Sequence, residues 1–336
     1  MSALDVGSPS PRRRAEILPA LTPLLVMIVA APLVADAPTF LTLTAAGLAM
    51  GMMIFTMSSG LTLVFGMMDV LNFGHGAFIA LGAYMATLVL APLNAWAVAD
   101  SVPMNLAVVV LAALAAAIAC GALGWAFERL IVKPVYGQHL RQILATIGGS
   151  IIIVQLIYAF FGPDQIPIAL PKAFQGSFVY GDAAVEKYRV LATLLGLIVF
   201  AGETLILNRT KIGLLIRAGV ENREMVEALG YRIDRLFVGV FMAGSALAGL
   251  GGAMMAFYRG QVQAPMGEEF LVLCFIVIII GGLGSVGGSF VAAILVALIA
   301  NYAGFLAPKL ALVSNILAMV VVLLWRPRGL YPLGGR

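Results

Sequence analysis

The sequence predicts an all-α polytopic membrane protein, a bundle of eight to ten membrane-spanning helices with ten as the expected number. Hydrophobic residues make up 62% of the 336 residues and charged residues only 11%, whereas ordinary soluble domains have about 25% charged residues. A chain so poor in charge cannot cover a water-facing surface, so its apolar surplus must face lipid. The apolar runs are long and do not alternate with polar residues, which predicts helices rather than a barrel.

Ten apolar runs can be marked along the chain. Most approach or exceed the ~20 residues that a helix needs to cross the hydrocarbon core. The run 270–282 is short, and we expect it to pair with 286–306 as a broken or tilted segment. Cys120 and Cys274 lie inside apolar runs, so we expect buried thiols, no disulfide and no metal site. The runs are 17–35, 40–66, 74–91, 105–127, 143–161, 190–207, 236–257, 270–282, 286–306 and 311–325.

The distribution of positive charge predicts the orientation. With the N-terminus inside, 15 of the 20 lysines and arginines fall on the inner side, so both termini are expected in the cytoplasm. Cytoplasmic tails are expected at 1–16 and 326–336, around a transmembrane domain at 17–325. Arg12 to Arg14 and the segment Ala35 to Ala37 resemble a signal peptide, but the first apolar run is too long, so we expect it to stay uncleaved.

The connection 66–76 carries polar groups between two predicted spans. Asp69, Asn72 and His75 lie there among glycines that include Gly74 and Gly76. Polar groups at membrane depth are costly and persist where they line a cavity or pack on protein. One interpretation is a broken, re-entrant segment beside a solute path or its gate. The other is an ordinary cytoplasmic turn in which Asp69 or Asn72 caps the next helix.

The connection 208–235 is too long and too charged for a simple linker. It holds six basic and four acidic residues. Apolar residues between 220 and 229 alternate with charged ones in the pattern of a short amphipathic helix, ending at Gly230. We expect this loop to dock into a partner protein rather than rest on lipid headgroups, since four carboxylates disfavour an anionic surface. The expected contact residues are Arg217, Glu221, Arg223, Glu227 and Gly230.

The connection 281–289 is rich in glycine, at a cost of about 1 kcal/mol for each helical position relative to alanine. Gly282, Gly284 and Gly287 are candidate residues of a flexible or re-entrant turn near a solute path. The alternative is close helix packing, with Gly284 and Gly288 at small-xxx-small spacing. We interpret Gly47, Gly51 and the small residues at 243–253 as packing positions.

Glu203, the one acidic residue well inside a run, is expected to reach the cytoplasmic boundary or to pair with a cation near Arg209.

Three motifs in this order resemble one known family. They are GLTLVFGMMDVLNFGHGAFIALGAYMA at 60–86, IGLLIRAGVENREMVEALGYRIDR at 212–235 and GGLGSVGGSFVAAIL at 281–295. Together they resemble the permeases of branched-chain amino acid ABC transporters, of the first-permease-subunit type, over residues 40–330. The resemblance implies a type II importer fold similar to the vitamin B12-type importers, in which the helix from Glu221 to Gly230 couples to an ATPase.

The resemblance also implies partners. These are a second related permease subunit, two cytoplasmic ATPase subunits and a periplasmic solute-binding protein, besides membrane lipid; nucleic acid is not expected. The chain has no GxxxxGK[ST] motif, so we expect no cofactor here and ATP bound by partner subunits. Relatives carry branched-chain amino acids, urea, amides or aromatic carboxylates, and the sequence does not distinguish between these solutes.

Two other classes of function compete with an importer subunit. An ion-coupled secondary transporter or a channel usually holds acidic groups near mid-membrane, but Asp69 and Glu128 lie at predicted span ends and Glu203 near one. An intramembrane enzyme would need catalytic groups, and the sequence has two histidines and no GxSxG or HExxH motif. We therefore expect no catalytic residues.

Overall fold

The computed structural model describes residues 19–34, 36–221 and 223–331, but not the side chains of residues 220, 221, 223, 224 and 312. Each of the ten predicted apolar runs contains a helix, which confirms the all-α polytopic class. The predicted tail 1–16 and the end of the C-terminal tail lie outside the described residues. The helices are α1 (Thr22–Val34), α2 (Ala37–Met68), α3 (His75–Leu90), α4 (Asn94–Ala97), α5 (Val102–Phe127), α6 (His139–Phe161), α7 (Lys187–Arg209), α8 (Lys211–Glu221), α9 (Arg223–Ala228), α10 (Ile233–Arg259), α11 (Met266–Gly281), α12 (Val286–Leu306) and α13 (Pro308–Trp325).

Six helices of the described chain have the length and apolar composition needed to cross a membrane. They are Ala37–Met68, Val102–Val135, His139–Phe161, Lys187–Arg209, Ile233–Arg259 and Val286–Leu306. Helix α5 reaches Val135 through a π-helical turn (Glu128–Val132) and a 3-10 turn (Lys133–Val135). Shorter apolar helices lie at Thr22–Val34, His75–Leu90 and Val313–Trp325. The runs 270–282 and 286–306, expected to pair as a broken or tilted segment, form helices α11 and α12, which are joined by the short turn 282–285 and pack on each other.

Helices α2 and α10 form the centre of the bundle. Helix α10 packs on α2, α3 and α5, and α2 also packs on α7 and α12. The crossings are close because small residues meet: a Cβ atom at Gly60 would overlap the carbonyl oxygen of Gly244. Gly51 likewise packs on Ile294 of α12. The packing interpretation of 243–253 and of Gly47 and Gly51 is therefore confirmed.

Two short antiparallel sheets accompany the helices, and neither was predicted from the sequence. Strand β1 (Ile166–Pro167) pairs with β4 (Gln261–Val262), and β2 (Ser177–Tyr180) pairs with β3 (Ala183–Glu186). The β2–β3 hairpin turns through Gly181 and Asp182, and Gly181 has φ +61°. A Gly-Asp pair between two short apolar runs is a known hairpin signal and predicts this turn.

The connections between helices gather at two opposite ends of the bundle. At the first, here called the hairpin end, Lys172 pairs with Asp100 at 2.6 Å and the Ile168 N–H donates to the carbonyl of Gly260 at 2.9 Å. At the second, here called the basic end, the Leu330 N–H donates to the carbonyl of Ile280 at 2.8 Å. Successive connections alternate between the two ends. The basic end comprises 69–74, 128–138, 210–232, 282–285 and 326–331, and the hairpin end comprises 36, 91–101, 162–186, 260–265 and 307.

Candidate functional site

The α2–α3 connection begins with a left-handed residue. Asp69 is exposed, has φ +53°, and donates its N–H to the carbonyl of Phe65 at 3.0 Å. Aspartate tolerates this conformation better than most residues. Asp69 therefore ends α2, and its expected role as a cap of the next helix is wrong.

The chain then turns back into the bundle. His75, the first residue of α3, is fully buried, and its Nε2 lies 2.8 Å from the carbonyl oxygen of Met57. Met57 precedes the end of α2 by 11 residues, or about 16 Å at 1.5 Å per residue. The non-helical segment 69–74 thus runs back along α2, and α3 starts deep inside the bundle. Because a carbonyl only accepts, Nε2 must carry the proton of His75.

Asn72 stabilises the turn from within. Its Oδ1 accepts a hydrogen bond from the Gly74 N–H at 3.0 Å, and the next N–H, of Phe73, donates to Thr146 Oγ1 at 3.3 Å. The connection therefore combines features of both interpretations, a re-entrant path and an asparagine-capped turn. Asn72 Nδ2 and His75 Nδ1 are buried without a hydrogen-bond partner among the described residues.

The starts of α3 and α11 meet inside the bundle. A Cβ atom at Gly76 would lie 2.6 Å from the carbonyl oxygen of Gly267, in the first turn of α11. At Gly74 it would lie 2.7 Å from Phe127 Cζ. Both α3 and α11 have 16 residues, fewer than a full span requires. Short helices that start within a bundle, beside non-helical backbone, are typical of transporter pathways.

The glycine-rich segment 281–289 forms a tight packed turn at the basic end. Gly282 and Gly284 have φ values of +101° and +82°, which only glycine adopts without strain. The turn also excludes a Cβ atom at Gly66 of the neighbouring α2, because that atom would overlap Gly284 Cα. Gly288 packs on Gly281, whereas Gly287 is exposed with open space around it. The turn thus lies against the end of α2, at the base of the re-entrant connection.

The amphipathic segment 208–235 contains two helices, α8 and α9, where one was expected. Helix α9 ends in the predicted way at Gly230, which has φ +87°. The N–H groups of Gly230 and Tyr231 donate to the carbonyls of Glu227 (2.9 Å) and Val226 (3.3 Å). This pair of bonds is a Schellman motif with glycine at C′.

The surface of this segment is partly apolar. Val226 and Ile216 are buried, whereas Ile212, Leu214, Met225 and Leu229 are exposed, Leu229 by 70%. Arg217 donates from Nη1 to Asn208 Oδ1 at 3.1 Å, and Glu227 is exposed. The side chains of Glu221 and Arg223 lie outside the described part. A cavity of about 470 Å³ opens beside Gly230, and the apolar side chains of Leu215, Val226 and Leu236 line part of it. Exposed apolar residues ringed by charge suit a docking surface.

The environment of Glu203 differs from the one that the sequence predicts. It is only 8% exposed, and its Oε1 accepts a hydrogen bond from Ser59 Oγ at 2.7 Å. It is buried inside the bundle and forms no ion pair with a described residue, so the expected pairing with a cation is wrong. The hydroxyl-rich stretch of α2 that holds Thr56, Ser58, Ser59 and Thr62 is the sequence signal that marks a buried polar partner.

The bundle, its re-entrant helix starts and its amphipathic segment at one end define a polytopic membrane protein of the transporter kind. The family model for the permease component of the branched-chain amino acid transport system matches residues 43–325. The chain belongs to this family. The match runs from α2 to α13 and includes the re-entrant connection, the amphipathic segment and the glycine-rich turn.

Curated relatives cover nearly the same length. The chain is 27% identical over 292 residues to the high-affinity branched-chain amino acid transport system permease protein BraD of Pseudomonas aeruginosa, covering 84% of this chain and 93% of BraD. It is 24% identical to the corresponding permease protein LivH of Salmonella typhimurium, covering 84% and 92%. A probable LivH of Methanocaldococcus jannaschii is 24% identical, covering 81% and 86%. No solved structure matches the chain.

The family and the apolar helices together identify a multi-pass protein of the bacterial inner membrane. Its relatives are permease subunits of transporters and not enzymes.

Proposed function

We propose that this chain is a permease subunit of an ATP-driven importer. It moves branched-chain amino acids or related small amino-acid-like solutes from the periplasm to the cytoplasm. The observation that carries the proposal is the family match over residues 43–325. The names of the relatives support the solute class. The matches to this chain cover more than nine-tenths of BraD and of LivH from Salmonella typhimurium.

The energy comes from partner proteins in this proposal. The sequence lacks a phosphate-binding GxxxxGK[ST] motif, so ATP is bound by two cytoplasmic ATPase subunits. A second related permease completes the membrane part, and a periplasmic binding protein delivers the solute. The solute crosses between this subunit and the second permease.

The proposed topology has ten spans and two cytoplasmic termini. The alternation of the connections between two ends of the bundle supports an even number of crossings. The basic residues support the orientation, because 15 of the 20 would lie inside in keeping with the positive-inside rule. The basic end is then cytoplasmic, and the hairpin end faces the periplasm and the binding protein.

The segment α8–α9 is proposed to couple the permease to its ATPase. It lies at the basic end and exposes Ile212, Leu214, Met225 and Leu229 beside charged residues. Arg217, Glu221, Arg223 and Glu227 would surround the docked apolar face, and Gly230 would hold the end of α9 in place. Helix-in-groove docking uses such an apolar face with a charged rim.

The re-entrant start of α3 is proposed to lie near the solute path or its cytoplasmic gate. Asn72 and His75 are buried polar groups with unused hydrogen-bonding atoms, held between Asp69 and the close contact of Gly76 with Gly267. The turn at Gly282, Gly284 and Gly287 would support the cytoplasmic end of α2. Groups with these properties mark solute pathways in other membrane proteins.

Uptake in cells distinguishes this proposal from an ion-coupled carrier. Labelled leucine uptake through this chain is measured after loss of the partner ATPases, and separately after an uncoupler is added with cellular ATP maintained. The importer predicts loss of uptake in the first case and survival in the second. Uptake that survives without the ATPases but collapses with the uncoupler would reject the proposal.

A further inference from the structure

A second cavity at the basic end is lined by charged residues. It has a volume of about 660 Å³ and lies between the π-helical turn after α5, the end of α9 and the start of α10. Its charged lining comprises four cations and two carboxylates: Arg129, Lys133, Arg232, Arg235, Glu227 and Asp234.

The cavity carries an excess of positive charge. Lys133 Nζ lies 3.3 Å from Asp234 Oδ2, so one cation and one carboxylate offset each other. Arg129, Arg232 and Arg235 form no ion pair with a described residue. All three arginines are exposed, and together they outnumber the second carboxylate, Glu227. The buried carboxyl group of Glu128 lies close enough to Arg129 and Lys133 to interact with both, so the described charges at the cavity are four cations and three carboxylates. An anion that enters the cavity would therefore meet a net positive charge carried by guanidinium groups, which bind phosphate oxygens in a bidentate way.

The cavity also adjoins an exposed apolar surface of the bundle. The Arg129 guanidinium lies 5.0 Å from the ring centre of Trp125, which is 45% exposed at the end of the apolar helix α5. Leu130, next to Arg129, is 77% exposed, and Tyr231 in the cavity wall is 51% exposed. Tryptophan and tyrosine collect at the headgroup level of membranes. The cations thus lie where apolar surface gives way to water.

We propose that this cavity binds the phosphate headgroup of an anionic phospholipid of the inner leaflet. Arg129 and Arg235 hold the phosphate, and the acyl chains lie along the exposed apolar side of α5. Basic pockets at the cytoplasmic ends of spanning helices bind such headgroups. An acidic protein partner would use the cations alone, whereas the exposed Trp125 and Leu130 beside them fit a molecule with an apolar tail. The site rests on the proposed function only in that the basic end must face the cytoplasm.

Native mass spectrometry and thermal unfolding of the purified full chain test the site. The chain is delipidated in detergent and titrated with phosphatidylglycerol, phosphatidylcholine or inorganic phosphate. The variant is Arg129→Gln/Arg235→Gln, and the control Arg141→Gln/Arg328→Gln removes two exposed cations from the same end but outside the cavity. Phosphatidylglycerol should bind the wild type and the control alike, and the variant about 30-fold more weakly, the loss expected for two cations beside an anionic headgroup.

Three outcomes would overturn the site. These are equal binding of phosphatidylglycerol by variant and wild type, equal binding of phosphatidylcholine by the wild type, or saturation of the cavity by inorganic phosphate without lipid. A separate pull-down with co-expressed ATPase tests a protein occupant: if the variant keeps its lipid but loses the ATPase, the cavity belongs to the motor protein. The lipid titration itself needs no ATPase and no solute, so its failure leaves the proposed transport function standing, and failure of transport leaves the lipid site standing.

Discussion

Buried polar side chains in this bundle find their partners on other helices. Glu203 of α7 is bonded to Ser59 of α2, Thr62 of α2 to Ser289 of α12, and His75 of α3 to the Met57 carbonyl. The sequence marks these residues as costly in a membrane. It does not identify their partners, because residues 144 or 227 positions apart meet only through helix packing.

Glu203 gives a first prediction at this scale. Glu203→Gln keeps an oxygen that accepts from Ser59 and should leave stability near that of the wild type. Glu203→Lys places an unpaired cation among buried groups and should destabilise the protein by roughly 2 to 4 kcal/mol. Thermal unfolding in detergent measures both, and Glu268→Lys, at an exposed position of α11, is the control. Equal stability of Glu203→Lys and the control would contradict the burial of Glu203.

His75 gives a second prediction. His75→Leu loses the bond to the Met57 carbonyl, at a cost of about 1 to 2 kcal/mol, and we expect a severalfold fall in solute uptake. Asn72→Leu should behave in the same way, since it uncaps the Gly74 N–H. The control is His139→Leu, at the exposed first residue of α6. Normal uptake by both Asn72→Leu and His75→Leu would leave the connection with a purely structural role.

At the scale of helices, the sequence predicts which helices exist better than it predicts the residue at which each helix begins. The apolar runs predicted ten helices because burial in lipid demands long apolar stretches. The depth at which α3 begins was not predictable, because it depends on a bond between residues 57 and 75 and on the contact of Gly76 with Gly267. Helix α8 was missed because its pattern of Ile212, Leu215 and Ile216 merges with the charged residues around it. The β2–β3 hairpin was missed despite its Gly-Asp turn.

The crossing of α2 and α10 gives a prediction at this scale. In Gly244→Ala the new Cβ would lie 2.6 Å from the carbonyl oxygen of Gly60 and 2.7 Å from Val64 Cγ2. The helices must separate, so we expect a loss of about 1 to 3 kcal/mol of stability. Gly239→Ala, on the same helix with no atom within 4 Å of the new Cβ, should be neutral or slightly stabilising. The unfolding temperatures of the two variants test the crossing, and equal values would count against it.

At the scale of the whole molecule, charge and packing agree on the arrangement of the connections. Loops that the charge rule assigns to one side, such as those that hold Lys133 and Asp234, form an ion pair in the structure. The loops that the charge rule assigns to the other side also contact each other, because Asp100 and Lys172 form an ion pair. The candidate site was predictable only as a set of loops, since the sequence does not show that one of them enters the bundle.

The topology gives a prediction of its own. Single cysteines at Asp182 in the hairpin and at Arg328, in a chain whose Cys120 and Cys274 are buried, should be labelled from opposite sides. A membrane-impermeant maleimide added to spheroplasts should label Asp182→Cys and not Arg328→Cys, with labelling of the latter only after lysis. Labelling of Arg328→Cys in intact spheroplasts would reverse the proposed orientation.

The central claim is that an ATPase drives this permease through α8–α9, and uptake by proteoliposomes tests it most directly. The complex is reconstituted with its ATPases and binding protein, and ATP-dependent uptake of labelled leucine is measured. Gly230→Pro removes the positive φ and the N–H that close α9, whereas Gly137→Pro changes another positive-φ glycine at the same end with open space around it. We predict a loss of roughly tenfold or more for Gly230→Pro, near wild-type uptake for Gly137→Pro, and none without the ATPases. Full uptake without the ATPases, or with Gly230→Pro, would contradict the claim.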